Sequence, residues 1–367
     1  MNKVAQHGIV VGQEMKLRLC ALLTLSLVAA PGCVASQITS LRSPWDGHPI
    51  KTVTGSYSCP AIPHIAPGLV TDGFYKLDDP THSIIDPIRM EAYRRSSDAV
   101  KSAGLTIVRA ADDYRTSGVL QAAQCAVERM NTLARDGALA GSMSSNQAYY
   151  VQGWVVGAIA IAYLKVRDSG TSTPEENASI RRWLLNVAEQ TKRYYDVHRT
   201  AGHGDGLNNH LYWAGVEVAA IGIAANARSD FEWGIKVYED GINQIKPDGT
   251  LPLEMARGSK ALHYHLYALA PLVLLAEFGE SNGLDLYAHG NGSLHRLVNL
   301  CISGLQDPTP FEKATGVKQE VPGRPSGDQI GWAPPYLQRF RNPVLMQMVA
   351  HAPNLSVYYL GGLPPIK

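Results

Sequence analysis

The sequence predicts an all-α fold, and three observations carry the prediction. Apolar residues recur every three to four positions through most of the chain, and no segment sustains the period-2 alternation of a half-buried strand. Helix start and stop signals punctuate that pattern. The 367 residues are 45% hydrophobic and 18% charged, enough for a large helical core and too apolar for a disordered chain.

The elements follow in order. Lys16 and Arg18 precede an apolar run from Leu19 to Ala30, which Pro31 and Gly32 break before small residues continue to Ser36. This is the layout of an export signal over residues 1–35, with Met15 an alternative start to Met1. The run is too short to span a bilayer comfortably, so a periplasmic or secreted protein without stable membrane insertion is expected. Cys33 follows a proline-containing Ala30-Pro31-Gly32, a poor match to a lipoprotein cleavage site. Residues 36–85 are rich in Pro, Gly and Ser and read as an extended arm with loops. Helices are then expected from about Pro87 to Tyr114, Gly118 to Arg135 and Tyr149 to Val166. Thr173-Pro174-Glu175-Glu176 is a capping box with proline at the first helical position, opening a helix to about Tyr195. Asn209 to Ala227 follows, and Ser229-Asp230-Phe231-Glu232 repeats the capping pattern ahead of a helix to about Ile245. Pro247-Asp248-Gly249 reads as a turn. The last helices run from about Gly258 to Phe278, Leu294 to Leu305 and Asn342 to Ala352. Similar lengths and short polar loops suggest helical hairpins arranged in a ring. No linker interrupts them, so residues 36–367 read as one domain.

The formal net charge is +1, from 33 basic and 32 acidic residues, which argues against nucleic-acid binding through a bulk positive field. An anionic ligand held by a few local cations stays open. Tyrosine is in excess, 17 against 5 phenylalanines, and hints at a wet, aromatic-lined groove. Beyond the signal, Cys59, Cys125 and Cys301 remain; an exported chain favours a disulfide, but sequence alone leaves the pairing open.

Two segments concentrate the chemistry. In Leu207-Asn208-Asn209-His210-Leu211-Tyr212-Trp213-Ala214-Gly215 the helix begins near Asn209. Either two asparagines simply cap it, or Asn209 and His210 at a helix N-terminus form a neutral-to-cationic cradle for a carboxylate. In Glu254-Met255-Ala256-Arg257-Gly258-Ser259-Lys260-Ala261-Leu262-His263-Tyr264-His265, a continuous helix would set Arg257 and Tyr264 on one face, about 10 Å apart in rise. A cation beside a phenol favours phenolate, which makes a tyrosine a usable base. His263 and His265 point about 200° apart on a helix and cannot share a metal; His265 reads as structural, and neither a metal nor another cofactor is expected.

Asn, His, Arg and Tyr together suit β-elimination next to a carboxylate. A uronic acid residue has an acidic C5–H beside its carboxylate and a leaving glycosidic oxygen at C4. The carboxylate must be neutralised, the C5 proton removed and O4 protonated. Asn209, His210 and Arg257 fit the first task, and Tyr264 fits the others. Where C5–H and O4 share a face, as in β-mannuronate, one tyrosine can do both.

The pairing of Asn-Asn-His-Leu-Tyr-Trp-Ala-Gly at 208–215 with Leu-Pro-Leu-Glu-Met-Ala-Arg-Gly-Ser-Lys-Ala-Leu-His-Tyr-His at 251–265 resembles polysaccharide lyase family 5, the periplasmic mannuronate-preferring alginate lyases and their polyuronate-lyase relatives. Both motifs, their order and the 54-residue gap from His210 to Tyr264 match, and the resemblance extends from about Cys59 to at least Leu305. It implies an incomplete α/α toroid with a deep cleft. It implies Asn209, His210 and Arg257 as carboxylate neutralisers and Tyr264 as acid and base, with His210 as base and Tyr264 as acid the alternative. Gln147, Tyr150, Trp154 and His263 are implied to contact sugar, Tyr75 to lie on a lid loop, and Cys59 to pair with Cys125. A monomer acting on an anionic polysaccharide such as alginate, without nucleic acid, is the expected state. One departure is Leu253-Glu254-Met255-Ala256-Arg257, where many alginate-specific members carry an Asn-Glu-Leu-Lys-Arg-like run. It looks closer to members with broader polyuronate use, polyglucuronate included.

Two other classes compete. A hydrolase on the same scaffold would use paired carboxylates such as Asp205 and Glu254. A non-catalytic uronan-binding protein would keep the cleft without turnover.

Overall fold

The computed structural model describes residues 40–365; the expected signal and Cys33 lie outside the described residues. From Pro87 onward the chain is a succession of helices, because apolar periodicity and caps agree almost everywhere. Asp86 accepts from the Ile88 and Arg89 amides and opens α1 (Pro87–Ser117), which ends on Gly118 in the left-handed conformation. Gly118 therefore terminates α1 and does not begin the next helix, which is α2 (Leu120–Asp136). Ser145 caps α3 (Asn146–Val166), moving its start three residues ahead of the expected Tyr149. The Thr173 capping box opens α4 (Pro174–Ala201), which continues past Tyr195 until Gly202 stops it. Then follow α5 (Asn209–Ala225) and α6 (Arg228–Gln244). Here the sequence reading needs correction. Ala227 is the N-cap of α6 and Ser229 lies inside the helix, because Asn226 already turns the chain in the left-handed conformation.

After the turn at Gly249, α7 (Pro252–Met255) is one short turn, and a 3-10 turn at Gly258–Lys260 leads into α8 (Ala261–Ser281). Next is α9 (His289–Gln306), kinked at Gly290–Gly292. Three short helices were not foreseen: α10 (Thr309–Thr315), α11 (Gly327–Ile330) and α12 (Ala333–Arg339). Asn342 caps the last, α13 (Pro343–His351).

The pairs α1/α2, α3/α4, α5/α6 and α8/α9 are helical hairpins. Their first members pack in series, α1 on α3, α3 on α5, α5 on α8; α2 packs on α4 and α6 on α9 behind them. The helices α3, α5 and α8 are apolar nearly all round, and they form the core. By length and composition α3 and the Gly258–Ser281 stretch could cross a membrane, but both are buried within the fold. Close approach between α5 and α6 depends on small residues: a Cβ on Gly234 would lie 2.7 Å from the Gly215 carbonyl oxygen.

The arm from residue 40 to 86 lies along the first hairpins through isolated β-bridges, Val53 with Val119 and Leu69 with Met143. The Cys59–Cys125 disulfide ties it to α2, and Cys301 is a buried thiol. At the other end, Lys165 on α3 donates to Asp112 on α1 and to the carbonyls of Gly361 and Leu363, which seats the C-terminal segment against the core.

One buried acid has no hydrogen-bond partner among the described residues. Glu217 on α5 is 0% exposed, and both carboxylate oxygens lack a hydrogen bond among the described residues. Gly153 and Gly157 on α3 make room for it. Burial raises its carboxyl from 4.5 to about 8, so it is neutral near pH 7. Below about 4.5 folded and unfolded chains both hold this proton. Between 4.5 and about 8 only the unfolded chain ionises, so this group's contribution falls through that window and levels off above it. Glu217→Gln removes that dependence. Scanning calorimetry across pH 5 to 8 should show a larger loss of thermal midpoint for the wild type than for the variant. Parallel curves would show that Glu217 titrates normally.

Candidate active site

A cleft of about 950 Å³ opens at one end of α3, α5 and α8. Each helix brings one or more groups to its wall: Gln147, Tyr150 and Trp154 from α3, His210 from α5, and His263, Tyr264 and Tyr267 from α8. The arm supplies the opposite side, from Asp72 to Leu77, together with His82.

The centre is a contact between two phenols. The Tyr75 and Tyr264 hydroxyls are 2.6 Å apart. Burial, then the Tyr264 neighbour, push the pKa of Tyr75 well above the usual tyrosine range, so Tyr75 keeps its proton. The Arg257 guanidinium lies over the Tyr264 ring, 3.4 Å from its centroid. Its Nε and Nη2 donate to the carbonyls of Thr81 (2.9 Å) and His82 (2.8 Å) on the arm. The expected route to this pairing was a continuous helix. Instead Arg257 precedes the 3-10 turn, and Gly258, at φ +55°, folds it back onto Tyr264.

The arm segment over the site is self-supporting. Tyr75 bridges Ile85, and Asp79 accepts from the Thr81, Ser83 and Ile84 amides. Burial opposes ionisation of Asp79, but the Thr81 hydroxyl and then these amides hold its carboxyl well below the ordinary range.

His210 reaches the cleft from the first turn of α5. Burial and then Arg257 lower its pKa to about 3, so the free imidazole is neutral. Its Nδ1 is buried without a partner among the described residues. Tyr150 lies flat on it, ring centroids 3.7 Å apart and planes 15° apart. His263 faces the cleft's solvent, yet the enclosing walls and then Lys260 lower it to about 4. Arg257 therefore carries the formal positive charge of the expected catalytic set.

Asn209 stands behind this wall. It is 0% exposed, and its amide nitrogen donates to both oxygens of Glu254, at 3.0 and 2.9 Å. Its backbone N–H donates to the same carboxylate at 2.8 Å. The N-terminus of α5 is thus occupied by an internal carboxylate, and Asn208, the N-cap, is the asparagine that lines the cleft. The paired-acid alternative finds no free pair. Glu254 is committed to Asn209, and Asp205 accepts from Tyr150, Tyr194 and His198. His265 is a core residue, accepting from the Leu251 amide and bonding to the Ala261 carbonyl.

Sequence reasoning missed several lining residues. Arg89, Tyr93 and Lys101 come from α1, and Tyr359 from the C-terminal segment. Only the tyrosine excess pointed toward two of them. A further grouping, His198, His203 and Asp205, gathers three ligand-type atoms within 4.8 Å at the cleft edge.

Residues 72–311 match the family model described as alginate lyase. The chain belongs to the alginate lyase family. A polysaccharide lyase of Stenotrophomonas maltophilia is 37% identical over 289 residues, 78% of this chain and 82% of that protein. An alginate lyase of Pseudomonas syringae pv. syringae is 29% identical, covering 85% of this chain and 83% of its own length. The crystal structure of alginate lyase A1-III from Sphingomonas species A1 superposes with a TM-score of 0.70 at 25% identity, covering 84% of this chain and 86% of that one. The helical hairpins described above are accordingly the α/α toroid of this family.

The Glu254 contact predicts an effect of its own. Glu254→Ala leaves the Asn209 amide and the first α5 N–H unpaired in the interior, at roughly 1–3 kcal/mol for each buried donor. Thermal unfolding should shift down by several degrees, with Glu254→Gln intermediate because it keeps one acceptor. An unchanged midpoint for the alanine variant would show that the carboxylate does not hold this helix end.

Proposed function

We propose that this protein depolymerises alginate by β-elimination, with poly-β-mannuronate the preferred substrate, in the periplasm or outside the cell. The observation that supports the reading best is the convergence of the Tyr75 and Tyr264 hydroxyls, Arg257 and His210 on one cleft. The family membership and the export-type N-terminus agree with it.

The chemistry follows from those positions. Arg257 pairs with the substrate carboxylate, and the neutral His210 imidazole donates to it, so the charge that develops as C5 loses its proton is stabilised. Tyr264, as phenolate, takes the C5 proton. The C5–H electrons form the C4=C5 double bond as the C4–O4 bond breaks, and Tyr264 returns the proton to O4. Tyr75, a phenol that keeps its proton, donates to Tyr264 while that oxygen carries charge. Asn209 serves by holding the start of α5, and with it His210, against Glu254. Gln147, Tyr150, Trp154 and His263 contact neighbouring sugars; the buried amide nitrogen of Gln147 has no protein partner among the described residues and suits a sugar oxygen.

The unpartnered Nδ1 of His210 favours a second reading, with His210 as base and Tyr264 as acid. The C5 epimer, guluronate, presents its proton on the other face and would need such a separate base. The Leu253–Arg257 run favours breadth toward polyglucuronate. Ultraviolet absorbance from the conjugated C4=C5 bond, measured on polymannuronate, polyguluronate and polyglucuronate, separates these. Polymannuronate should give the fastest rise. New reducing ends without absorbance would mean hydrolysis, and binding without product would mean a carrier. Tyr264→Phe should lower kcat by about a thousandfold while sparing binding, since general acid–base groups contribute about 10²–10⁴. Near wild-type turnover in that variant would refute the assignment.

A further inference from the structure

Asp205 lines the cleft, and the elimination chemistry gives it nothing to do. Its side chain is only 9% exposed, and it sits on the 3-10 turn Gly204–Gly206 just ahead of α5. The turn is pressed onto the end of α4: a Cβ on Gly206 would lie 2.7 Å from the Arg199 nitrogen. Three side chains converge on the carboxylate. The Tyr194 hydroxyl donates at 2.6 Å, the Tyr150 hydroxyl at 3.0 Å, and His198 Nδ1 contacts both oxygens at 2.8 and 3.0 Å. Burial opposes ionisation, but these contacts outweigh it and keep the carboxyl below its ordinary value.

The Tyr150 bond matters because of what lies on the Tyr150 ring. The His210 imidazole has no hydrogen bond to a protein group among the described residues; its parallel stack on Tyr150 is the closest ring contact, with Trp154 farther off at 6.1 Å. A stack alone leaves an imidazole free to slide in its plane. A phenol tethered at its far end does not move, and it presents a fixed surface. We infer that Asp205 is a positioning residue for His210, acting through the Tyr150 hydroxyl. The inference rests on His210 meeting the substrate carboxylate, as argued above. His203 brings a third ligand-type atom near the carboxylate, but Tyr150, Tyr194 and His198 already take three of the roughly four acceptor sites of a carboxylate.

The test is a double-mutant cycle on polymannuronate. Asp205→Ala should lower kcat about tenfold or more with KM within about threefold, because misplacing a reacting group costs rate before affinity. Tyr150→Phe, which keeps the ring and loses the tether, should do the same. The double variant should be no worse than about twofold below the weaker single, since both remove one interaction. Asp205→Asn keeps an acceptor for Tyr150 and should recover much of the rate; if the alanine variant does not fold, Tyr150→Phe alone, read by rate and by the resonance below, carries the test. A second readout does not depend on turnover. The ring protons of His210, assigned by their loss in His210→Gln, should carry an upfield ring-current shift in the wild type that shrinks in Asp205→Ala and Tyr150→Phe. Losses that multiply, an Asp205→Ala rate within twofold of wild type, or an unmoved His210 resonance would each overturn the inference. So would activity that a chelator abolishes and zinc ion restores, which would make Asp205 a metal ligand. A wild type that yields no unsaturated product would refute the functional reading and leave the resonance shift to judge the inference.

Discussion

The hydrogen bonds between Glu254 and Asn209 join the two halves of the active site. A helix N-terminus carries unsatisfied N–H groups and favours negative charge. Glu254 meets that N-terminus from inside the protein, accepting from the Asn209 backbone and side chain together; burial raises its pKa, and these bonds and Arg257 act against the rise. The segment that carries Glu254 is pinned at two further points. His265 on α8 accepts from the Leu251 amide, and Arg257 lies on the Tyr264 ring. A short connection between α6 and α8 is thereby fixed to α5 and α8 at once. His210, Arg257 and Tyr264, which come from three different elements, can then hold a common geometry.

This arrangement settles where positive potential comes from in a nearly neutral chain. The α5 N-terminus is spent on Glu254, and burial leaves His210 and His263 neutral. The charge facing a polyanion is therefore local: Arg257 at the centre, with Arg89, Lys101 and Lys76 around the wall. Placed cations in a cleft discriminate a carboxylate at a defined position, which a uniformly basic surface would not. A neutral imidazole has a related advantage. It can donate to a carboxylate without the cost of burying a second cation next to Arg257.

Much of this was legible in the sequence, and the gaps have physical causes. The apolar helices α3, α5 and α8 and the Thr173 capping box follow from periodicity and local hydrogen bonding, which are properties of a short window. The motifs at 208–215 and 251–265 carried the site because their side-chain types fit one reaction. Ser229 misled because a serine ahead of an acidic residue looks like a cap wherever it stands; the left-handed turn at Asn226 decided the helix start instead. The Arg257–Tyr264 pairing was expected, but by the wrong path, since no local rule shows that Gly258 adopts a positive φ. Asn209 was read as facing the substrate because its partner, Glu254, is 45 residues away. Tyr359 was invisible for the same reason: Lys165, on α3, anchors the segment that delivers it.

The arm adds a constraint on how substrate enters. Tyr75 and the carbonyls of Thr81 and His82 all belong to it, and they hold the hydroxyl of Tyr264 and two of the five N–H groups of Arg257. Both central groups are therefore partly satisfied by a segment that also roofs the cleft. A polymer cannot thread between Tyr75 and Tyr264 while their oxygens are 2.6 Å apart. Entry of a sugar at that point requires the arm to lift or Tyr75 to turn aside. Lifting would free the Arg257 donors that the proposed mechanism assigns to the substrate carboxylate. On that reading, substrate binding and arm movement would share hydrogen bonds, and the cost of breaking one set would be offset by forming the other. The Asp79 turn and the Tyr75–Ile85 bridge close the segment from Tyr75 to Ile85 on itself, independently of its bonds to Tyr264 and Arg257.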